Sequence, residues 1–239
     1  MTMRLKHLHL PGLTSYTHAA RLQDKVVSAF LAHKANPASA ISPRPTIITA
    51  QFRPVYTCGR REVGTVSSAQ RAFLAESTSY GKAEFQEALR GGQTTFHGPG
   101  QLIAYPVLDL RRHGLSPRCY VSLLEQTVID LCAKYDVKAM RTEHPGVWVT
   151  EMDKLCALGV HLRRNITSHG IGLNVSTELA WFDRIVACGL EGKRTTSFAG
   201  LALQPLPSVD AVASAYVATM AAGLQGIDGV DSIDENELV

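Results

Sequence analysis

Apolar side chains recur along this 239-residue chain with two periods, and the period predicts which segments are helices and which are strands. The segment 15–33 places one apolar face at helical spacing, formed by Ala19, Leu22, Val26, Ala29 and Phe30. A second helix is predicted to begin at Ser116, because serine caps a helix and Pro117 is tolerated at its first position. A third is predicted to begin at Ser208.

Short apolar runs bounded by polar turns are typical of strands. They occupy 46–51, 102–108, 147–150, 155–162 and 171–175. Helices mixed with strands, without an internal repeat, predict an α/β (α+β) fold in which mixed sheets are flanked by helices. A chain of this length, 45% hydrophobic, can bury one sizeable core. We therefore predict a single domain over 1–225 and an acidic, mobile tail over 226–239.

Charge is distributed unevenly. The net charge is +3, yet no lysine or arginine follows Arg194, whereas six acidic residues do. A basic body attracts acidic partners, although a scattered, solvated surface has the same composition. Because the basic residues come in pairs without interleaved aromatic residues or a long basic run, we predict an acidic protein partner and no nucleic acid. No run of about 18 apolar residues occurs, so no membrane span is predicted.

The five cysteines form no C-x-x-C pair and no cluster with histidine at zinc-finger spacing. They lie at positions 58, 119, 132, 156 and 188. This spacing favours a reducing compartment and predicts neither a disulfide framework nor a structural metal.

The segment 90–101 is rich in glycine and reads RGGQTTFHGPGQ. Glycines let the backbone approach a ligand closely, and Thr94, Thr95 and His97 would display polar groups on the same loop. The segment lacks the Gly-Lys-Ser/Thr ending of a phosphate-binding loop and does not spell G-x-G-x-x-G. It is either the wall of a ligand site or a tight turn between strands.

Cys188 and Lys154 are the candidate catalytic pair. A free thiol has a pKa near 8.5, and a nearby ammonium would lower it and raise the thiolate fraction. His97 and His169 are rival bases, and nothing in the spacing settles which group faces the thiol. Cys156 would share a strand face with Lys154 and is interpreted as a core residue.

Several ordered motifs resemble the lipoyl(octanoyl) transferases, a family similar in catalytic fold to biotin and lipoate protein ligases. They extend over about 8–198 and read PVYTCGR (54–60), RGGQTTFHGPGQ (90–101), YPVLDL (105–110), PGVW (145–148), KLCALG (154–159), SHGIGLN (168–174) and CG (188–189).

The resemblance implies transfer of an octanoyl group from acyl carrier protein to a specific lysine of lipoyl domains, such as those of 2-oxoacid dehydrogenases and the glycine-cleavage H protein. Cys188 falls on the family's acyl-thioester nucleophile and Lys154 on the residue that lowers its pKa. The family's substrate-binding segments fall on Arg90, Gly91, Gly92, Gln93, Thr94, Thr95, Phe96, His97, Ala157, Leu158, Gly159, Gly170, Ile171 and Gly172. His169 is a possible auxiliary residue.

The implied chemistry needs no cofactor, neither ATP nor a metal, because donor and intermediate are both thioesters. Ala187 and Gly172 stand where the family commonly has proline and alanine, which predicts a looser acyl pocket. The stretch 165–177 resembles the eukaryotic branch and indicates a mitochondrial location, with the cytoplasm as the alternative. The first 23 residues are basic without an acidic residue, as in a presequence, but Pro11 and Gly12 interrupt any helix there.

Two rival functions stay open at this point. An ATP-dependent lipoate or biotin ligase of the same fold would activate the acid as an adenylate and would not need Cys188. A catalytically inactive binding module for lipoyl domains would bind its partner tightly but form no acyl-enzyme.

Overall fold

The computed structural model describes residues 3–38, 42–186, 189 and 192–239, and its helices are interspersed among its strands. The helices are α1 (Tyr16–Ala35), α2 (Ser68–Leu74), α3 (Pro117–Ala133) and α4 (Val209–Gly223). The strands are β1 (Met3–Thr14), β2 (Thr46–Phe52), β3 (Val55–Cys58), β4 (Glu84–Glu87), β5 (Thr95–His97), β6 (Gln101–Val107), β7 (Val147–Trp148), β8 (Asp153–Arg163), β9 (Ile166–Asn174), β10 (Arg194–Thr195) and β11 (Ile227–Ile233). Every predicted helix and strand is present.

The main sheet has the order β10-β8-β9-β6-β2-β1-β11, and β7 pairs with β8. Strand β1 runs parallel to both β2 and β11, whereas β6, β8 and β9 pair antiparallel with their neighbours in the middle of the sheet. A small second sheet has the order β4-β3-β5. The mixed α/β architecture predicted from the sequence is confirmed.

Helices cover both faces of the main sheet. Adjacent strand residues point to opposite faces, so Ile47 packs in the cluster of α3 and α4 while Ile48 packs in the cluster of α1. The helices begin where the sequence predicts, because the side chains of Ser15, Ser116 and Ser208 each accept a hydrogen bond from a backbone N–H of the first turn. None of the helices in the described residues is long and apolar enough to cross a bilayer.

The prediction of a mobile tail is wrong for 227–233, which form β11 at the edge of the main sheet. This strand pairs with β1 from Arg4 opposite Gly229 to Leu8 opposite Ile233, and Leu238 beyond it is 2% exposed in the cluster under α1. Glycine and aspartate make the segment resemble a loop, yet its backbone pairs with β1, which supplies hydrogen-bond partners on that side of the strand. The basic residues near the N-terminus belong to β1 and contact this acidic segment.

Candidate active site

Small residues on β8 and β9 leave a slot in the middle of the sheet. Gly159 stands opposite Gly170, and Ala157 stands opposite Gly172. A Cβ on Gly170 would lie 2.3 Å from the carbonyl oxygen of Ala104, so no larger residue fits there without moving the backbone. The glycines therefore set the width of this part of the site.

The slot opens into a cavity of about 340 Å³, which we call the inner cavity. It is lined by Arg90, Thr95, His97, Tyr105, Ala157, Leu158, Gly159, His169, Gly170, Ile171 and Gly172. Ten of these residues were predicted from the sequence, and the structure adds Tyr105.

A directed chain of hydrogen bonds fixes the ring of His97. The Asn174 amide donates to the Thr196 carbonyl (3.0 Å), and the Gln101 amide donates to Asn174 Oδ1 (2.8 Å). Gln101 Oε1 is therefore free to accept from His97 Nδ1–H at 2.7 Å, which leaves Nε2 as an acceptor. Burial, helped by the charge of Arg90, lowers the pKa of His97 to about 3, so the ring is neutral at physiological pH.

His169 occupies an unusual backbone position within β9. Its φ is +57°, a region that side chains rarely adopt, and its N–H donates to the Gln23 side chain. The buried Nδ1 has no hydrogen-bond partner in the described part of the chain, and the ring packs edge-on against Tyr105 at 5.4 Å between centroids. Burial and the charge of Arg90 lower the pKa of His169 to about 3. Its role as an auxiliary residue is compatible with a neutral ring facing the cavity.

Arg90 shapes the glycine-rich loop. Its buried guanidinium donates to the Thr57 carbonyl (2.6 Å) and to the carbonyls of Gly91 and Gln93 (3.0 Å each). The stem of Arg90 lines the cavity, and a Cβ on Gly159 would lie 2.9 Å from its Cδ. Arg90 therefore lies between the loop and the cavity, and its described hydrogen bonds stabilise the conformation of the loop.

Five predicted binding residues of this loop do not line the inner cavity: Gly91, Gly92, Gln93, Thr94 and Phe96. The N–H and hydroxyl of Thr94 both donate to the Glu62 carboxylate at 2.6 Å. Phe96 is fully buried and stacks on Trp181 with 4.8 Å between ring centroids, because strand alternation turns it away from Thr95 and His97. Gln93 lies against Gly189.

Cys188 itself lies outside the described residues, but its neighbour Gly189 is described. Gly189 has φ +67°, and a Cβ there would lie 1.5 Å from Gln93 Oε1. A side chain at this positive φ would be strained, and the Gln93 side chain would have to move. Position 189 therefore packs directly against the glycine-rich loop.

Lys154 lies at the start of β8 and lines a second, larger cavity of about 950 Å³, which we call the outer cavity. The two cavities share Arg90, Leu158 and Gly159 as a common wall. The outer cavity is lined by Arg61, Arg90, Gly91, Gly92, Val121, His144, Pro145, Lys154, Leu158, Gly159 and Val160. Lys154 is only 8% exposed, and its Nζ lies 4.6 Å from the centroid of a Trp148 ring.

The rival thiol, Cys156, is confirmed as a core residue. It is completely buried in the cluster between the sheet and α3 and α4. Burial, and secondarily the neighbouring Cys132, raises the pKa of the Cys156 thiol well above its ordinary value. A thiol that stays protonated is a poor nucleophile.

Sequence reasoning missed Tyr105, Arg61 and His144 as cavity residues. Tyr105 lies in a strand whose residues are all buried, so its position carries no polar signal. Trp148 belongs to the PGVW motif, but no pattern in the sequence pairs its ring with Lys154. In the described residues no three histidine, cysteine or acidic side chains are grouped as metal ligands would be.

Comparisons with known proteins identify the family of the chain. Residues 16–221 match the family described as lipoyl protein ligase A/B catalytic domain. A Schizosaccharomyces pombe protein named "Probable octanoyltransferase" is 54% identical over 187 residues, covering 78% of this chain and 81% of the relative. The human mitochondrial octanoyl-acyl-carrier-protein:protein N-octanoyltransferase is 40% identical over 190 residues, with 78% and 79% covered.

Among solved structures, lipoate-protein ligase A bound with ATP has a TM-score of 0.68 at 14% identity, covering 100% of this chain and 92% of that one. At this identity the likeness establishes the fold alone. The family match and the curated relatives go further: this chain belongs to the lipoyl protein ligase A/B catalytic domain family.

Proposed function

We propose that this protein transfers an octanoyl group from acyl carrier protein to a lysine of lipoyl domains, through a thioester on Cys188. The observation that carries this proposal is the arrangement of the cavities: a narrow inner cavity shares its wall with the outer cavity that holds Lys154. A small-residue slot suits a saturated chain, and a buried ammonium beside it suits a thiolate. The protein is an acyltransferase, as its octanoyltransferase relatives are named.

In the first step, the Cys188 thiolate attacks the carbonyl carbon of the carrier's thioester. The new sulfur–carbon bond replaces the carrier's sulfur–carbon bond, and the departing carrier thiolate takes a proton from the Lys154 ammonium. Thioester exchange is close to isoenergetic, so the step needs neither ATP nor a metal. The products are the acyl-enzyme, the carrier thiol and a neutral Lys154 amine.

In the second step, the lysine of the lipoyl domain gives one proton to Lys154 and attacks the acyl-enzyme as a neutral amine. The tetrahedral intermediate expels the Cys188 thiolate, the second proton passes to solvent, and an amide remains. His97 is a poor carrier of this proton, because the lowered pKa keeps its ring neutral. It serves instead as a fixed hydrogen-bond acceptor in the inner cavity.

The protein partners follow from the same chemistry. The basic residues all precede residue 195, and an acidic acyl carrier protein would be attracted to this part of the molecule, less so at high salt. The acceptors we propose are the lipoyl domains of 2-oxoacid dehydrogenases and of the glycine-cleavage H protein. The human relative is named as mitochondrial, and we assign this protein to the same compartment.

Intact-mass spectrometry tests the proposal. The protein is mixed with octanoyl-acyl carrier protein without ATP, and one octanoyl group is expected on the peptide that contains Cys188. The Cys188→Ala variant should carry none, whereas Cys156→Ala should be acylated like the parent chain. Octanoylation of a lipoyl domain that needs octanoic acid and ATP and survives Cys188→Ala would instead support the ligase. Tight binding of the lipoyl domain without any acylation would support the inactive binding module.

A further inference from the structure

We infer that Trp148 is a positioning residue for Lys154, holding its ammonium at the outer cavity without neutralising it. The inference rests on the proposed function, in which Lys154 promotes ionisation of Cys188. The Lys154 Nζ lies 4.6 Å from a Trp148 ring centroid, within the range of cation–π attraction, which is strongest for tryptophan and for desolvated cations. Both conditions hold here, because Trp148 is completely buried and Lys154 is 8% exposed.

Hydrogen bonds hold Trp148 at its indole N–H and at its backbone. Its Nε1–H donates to the His144 carbonyl at 3.1 Å, and its backbone exchanges two hydrogen bonds with Met140, at 2.7 and 3.0 Å. In the sheet, Trp148 stands opposite Lys154 in the pairing of β7 with β8. These contacts fix the position of the Trp148 ring, and the ring in turn restricts the position of the Lys154 ammonium.

Gly146 makes room for the stem of Lys154. A Cβ at Gly146 would lie 3.2 Å from Lys154 Cε and 2.8 Å from the Cys156 carbonyl oxygen, and its φ is +132°. The Gly146 N–H donates to Glu125 Oε1 at 3.1 Å. This hydrogen bond connects the turn before β7 to α3, and the absence of a side chain at Gly146 leaves space for the Lys154 side chain.

Glu125 is the buried carboxylate of this region, and both its oxygens are already engaged. Oε1 accepts from Gly146, and Oε2 accepts from Arg141 Nε at 3.1 Å. In the part of the chain that the structure describes, Lys154 Nζ has an aromatic face and no hydrogen-bond acceptor. This difference decides the chemistry: a carboxylate partner would neutralise the ammonium, whereas a ring holds it in place and leaves its charge available to a thiolate.

The other charged or titratable groups around Lys154 are mostly cationic. Lys193 Nζ lies 5.9 Å from a Trp148 ring centroid and donates to the Glu151 carbonyl at 2.9 Å. Arg61, Arg90 and His144 also line the outer cavity, and Cys156 lies two residues further along β8. Asp153, next to Lys154, is paired with Arg194 of β10 at 2.7 Å. Repulsion among these cations would displace a mobile lysine, and the ring opposes that displacement.

The test is the pH dependence of alkylation, resolved by peptide so that Cys188 is read separately from the exposed Cys119. Wild type, Lys154→Ala, Trp148→Leu and Trp148→Phe are compared. Lys154→Ala should move the Cys188 midpoint upward by about one pH unit. Trp148→Leu should move it upward by about half a unit or more, and Trp148→Phe by less, since a phenyl ring keeps part of the attraction.

Two controls distinguish the positioning of Lys154 from a general loss of structure. Cys119 has its pKa lowered by Ser116 at the start of α3, so its own midpoint should not move in any variant. Phe30→Leu removes a buried aromatic residue from the cluster under α1, and it should leave the Cys188 midpoint unchanged.

The inference is overturned if the Trp148→Leu profile superimposes on wild type, or if Lys154→Ala itself causes no shift. Should Trp148→Leu fail to fold, Trp148→Phe decides by the same criterion. A wild-type protein that is alkylated as expected but accepts no octanoyl group would refute the proposed function and leave the positioning of Lys154 by Trp148 intact.

Discussion

Burial separates the thiols of this protein at the scale of single residues. Cys58, Cys132 and Cys156 are buried, and burial raises the pKa of each thiol, that of Cys132 to about 12. Cys119 is exposed on α3, where it lines neither cavity. Of the thiols that the structure describes, none combines access to a cavity with a cation that would ionise it.

Cys156→Ala should therefore leave octanoyl transfer within about twofold of wild type, because the thiol takes no part in the chemistry. Loss of a small buried group should lower the free energy of unfolding by about 1 kcal/mol. Transfer rates and urea unfolding check the two statements. Disappearance of the acyl-enzyme in this variant would mean that Cys156 is the nucleophile.

Gly172→Ala should narrow the inner cavity. The added Cβ would lie 3.2 Å from Gln101 Oε1 and 3.5 Å from His97 Cε1, so the polar wall must give slightly. We expect the preference for octanoyl over decanoyl donors, measured as a ratio of kcat/KM values, to rise by about 3- to 10-fold. Gly223→Ala adds a similarly close contact, 3.2 Å from Leu123, away from the cavity, and should leave that ratio unchanged.

The sequence identifies the types of residue in the site but not their distances. Periodicity predicted β8 and β9, and the glycines of these strands could be expected to line a ligand. The contact of Lys154 with Trp148 depends on the pairing of β7 with β8, which no local pattern specifies. Phe96 was assigned to the site with its neighbours, although alternation along β5 turns it into the core.

At the scale of elements, β1 and β11 show where local patterns mislead. Pro11 and Gly12 weaken any regular pattern in β1, and glycine and aspartate do the same in β11. Each strand is stabilised by its neighbour in the sheet, since parallel pairing supplies the hydrogen bonds. Helices α1, α3 and α4 were predicted because capping serines and apolar spacing are local signals.

Truncation after Gly226 should destabilise the fold by about 3 kcal/mol or more, since it removes β11 and uncovers the cluster that holds Leu238. Leu238→Ala alone should cost about 2–4 kcal/mol. Val239→Ala, at a position 59% exposed, should change stability by less than about 0.5 kcal/mol. Urea midpoints measure all three, and a truncated chain as stable as the full one would show that β11 is dispensable.

At the scale of the whole molecule, the acidic C-terminal segment packs against the basic N-terminal strand. Arg4 Nε donates to Asp231 at 2.6 Å, and Lys6 Nζ donates to the Glu237 carbonyl at 2.6 Å. These contacts are at the edge of the sheet, on exposed side chains, so each contributes little to stability. These contacts affect the charge of the surface. The acidic residues of the C-terminal segment lie together at the β11 edge of the sheet, and the basic residues elsewhere remain available to an acidic partner.

Buried neutral histidines should make the whole molecule sensitive to mild acid. The pKa of His7 is lowered to about 4, and those of His97 and His169 to about 3, chiefly by burial. Below about pH 6.5 the unfolded chain binds protons at these sites and the folded chain does not. The free energy of unfolding therefore decreases as the pH is lowered, by up to about 1.4 kcal/mol per pH unit for each histidine. Urea unfolding between pH 7.5 and 5 measures this slope. His97→Gln should reduce this slope by up to about 1.4 kcal/mol per pH unit, and stability that does not change with pH over this range would contradict the assignment of neutral rings.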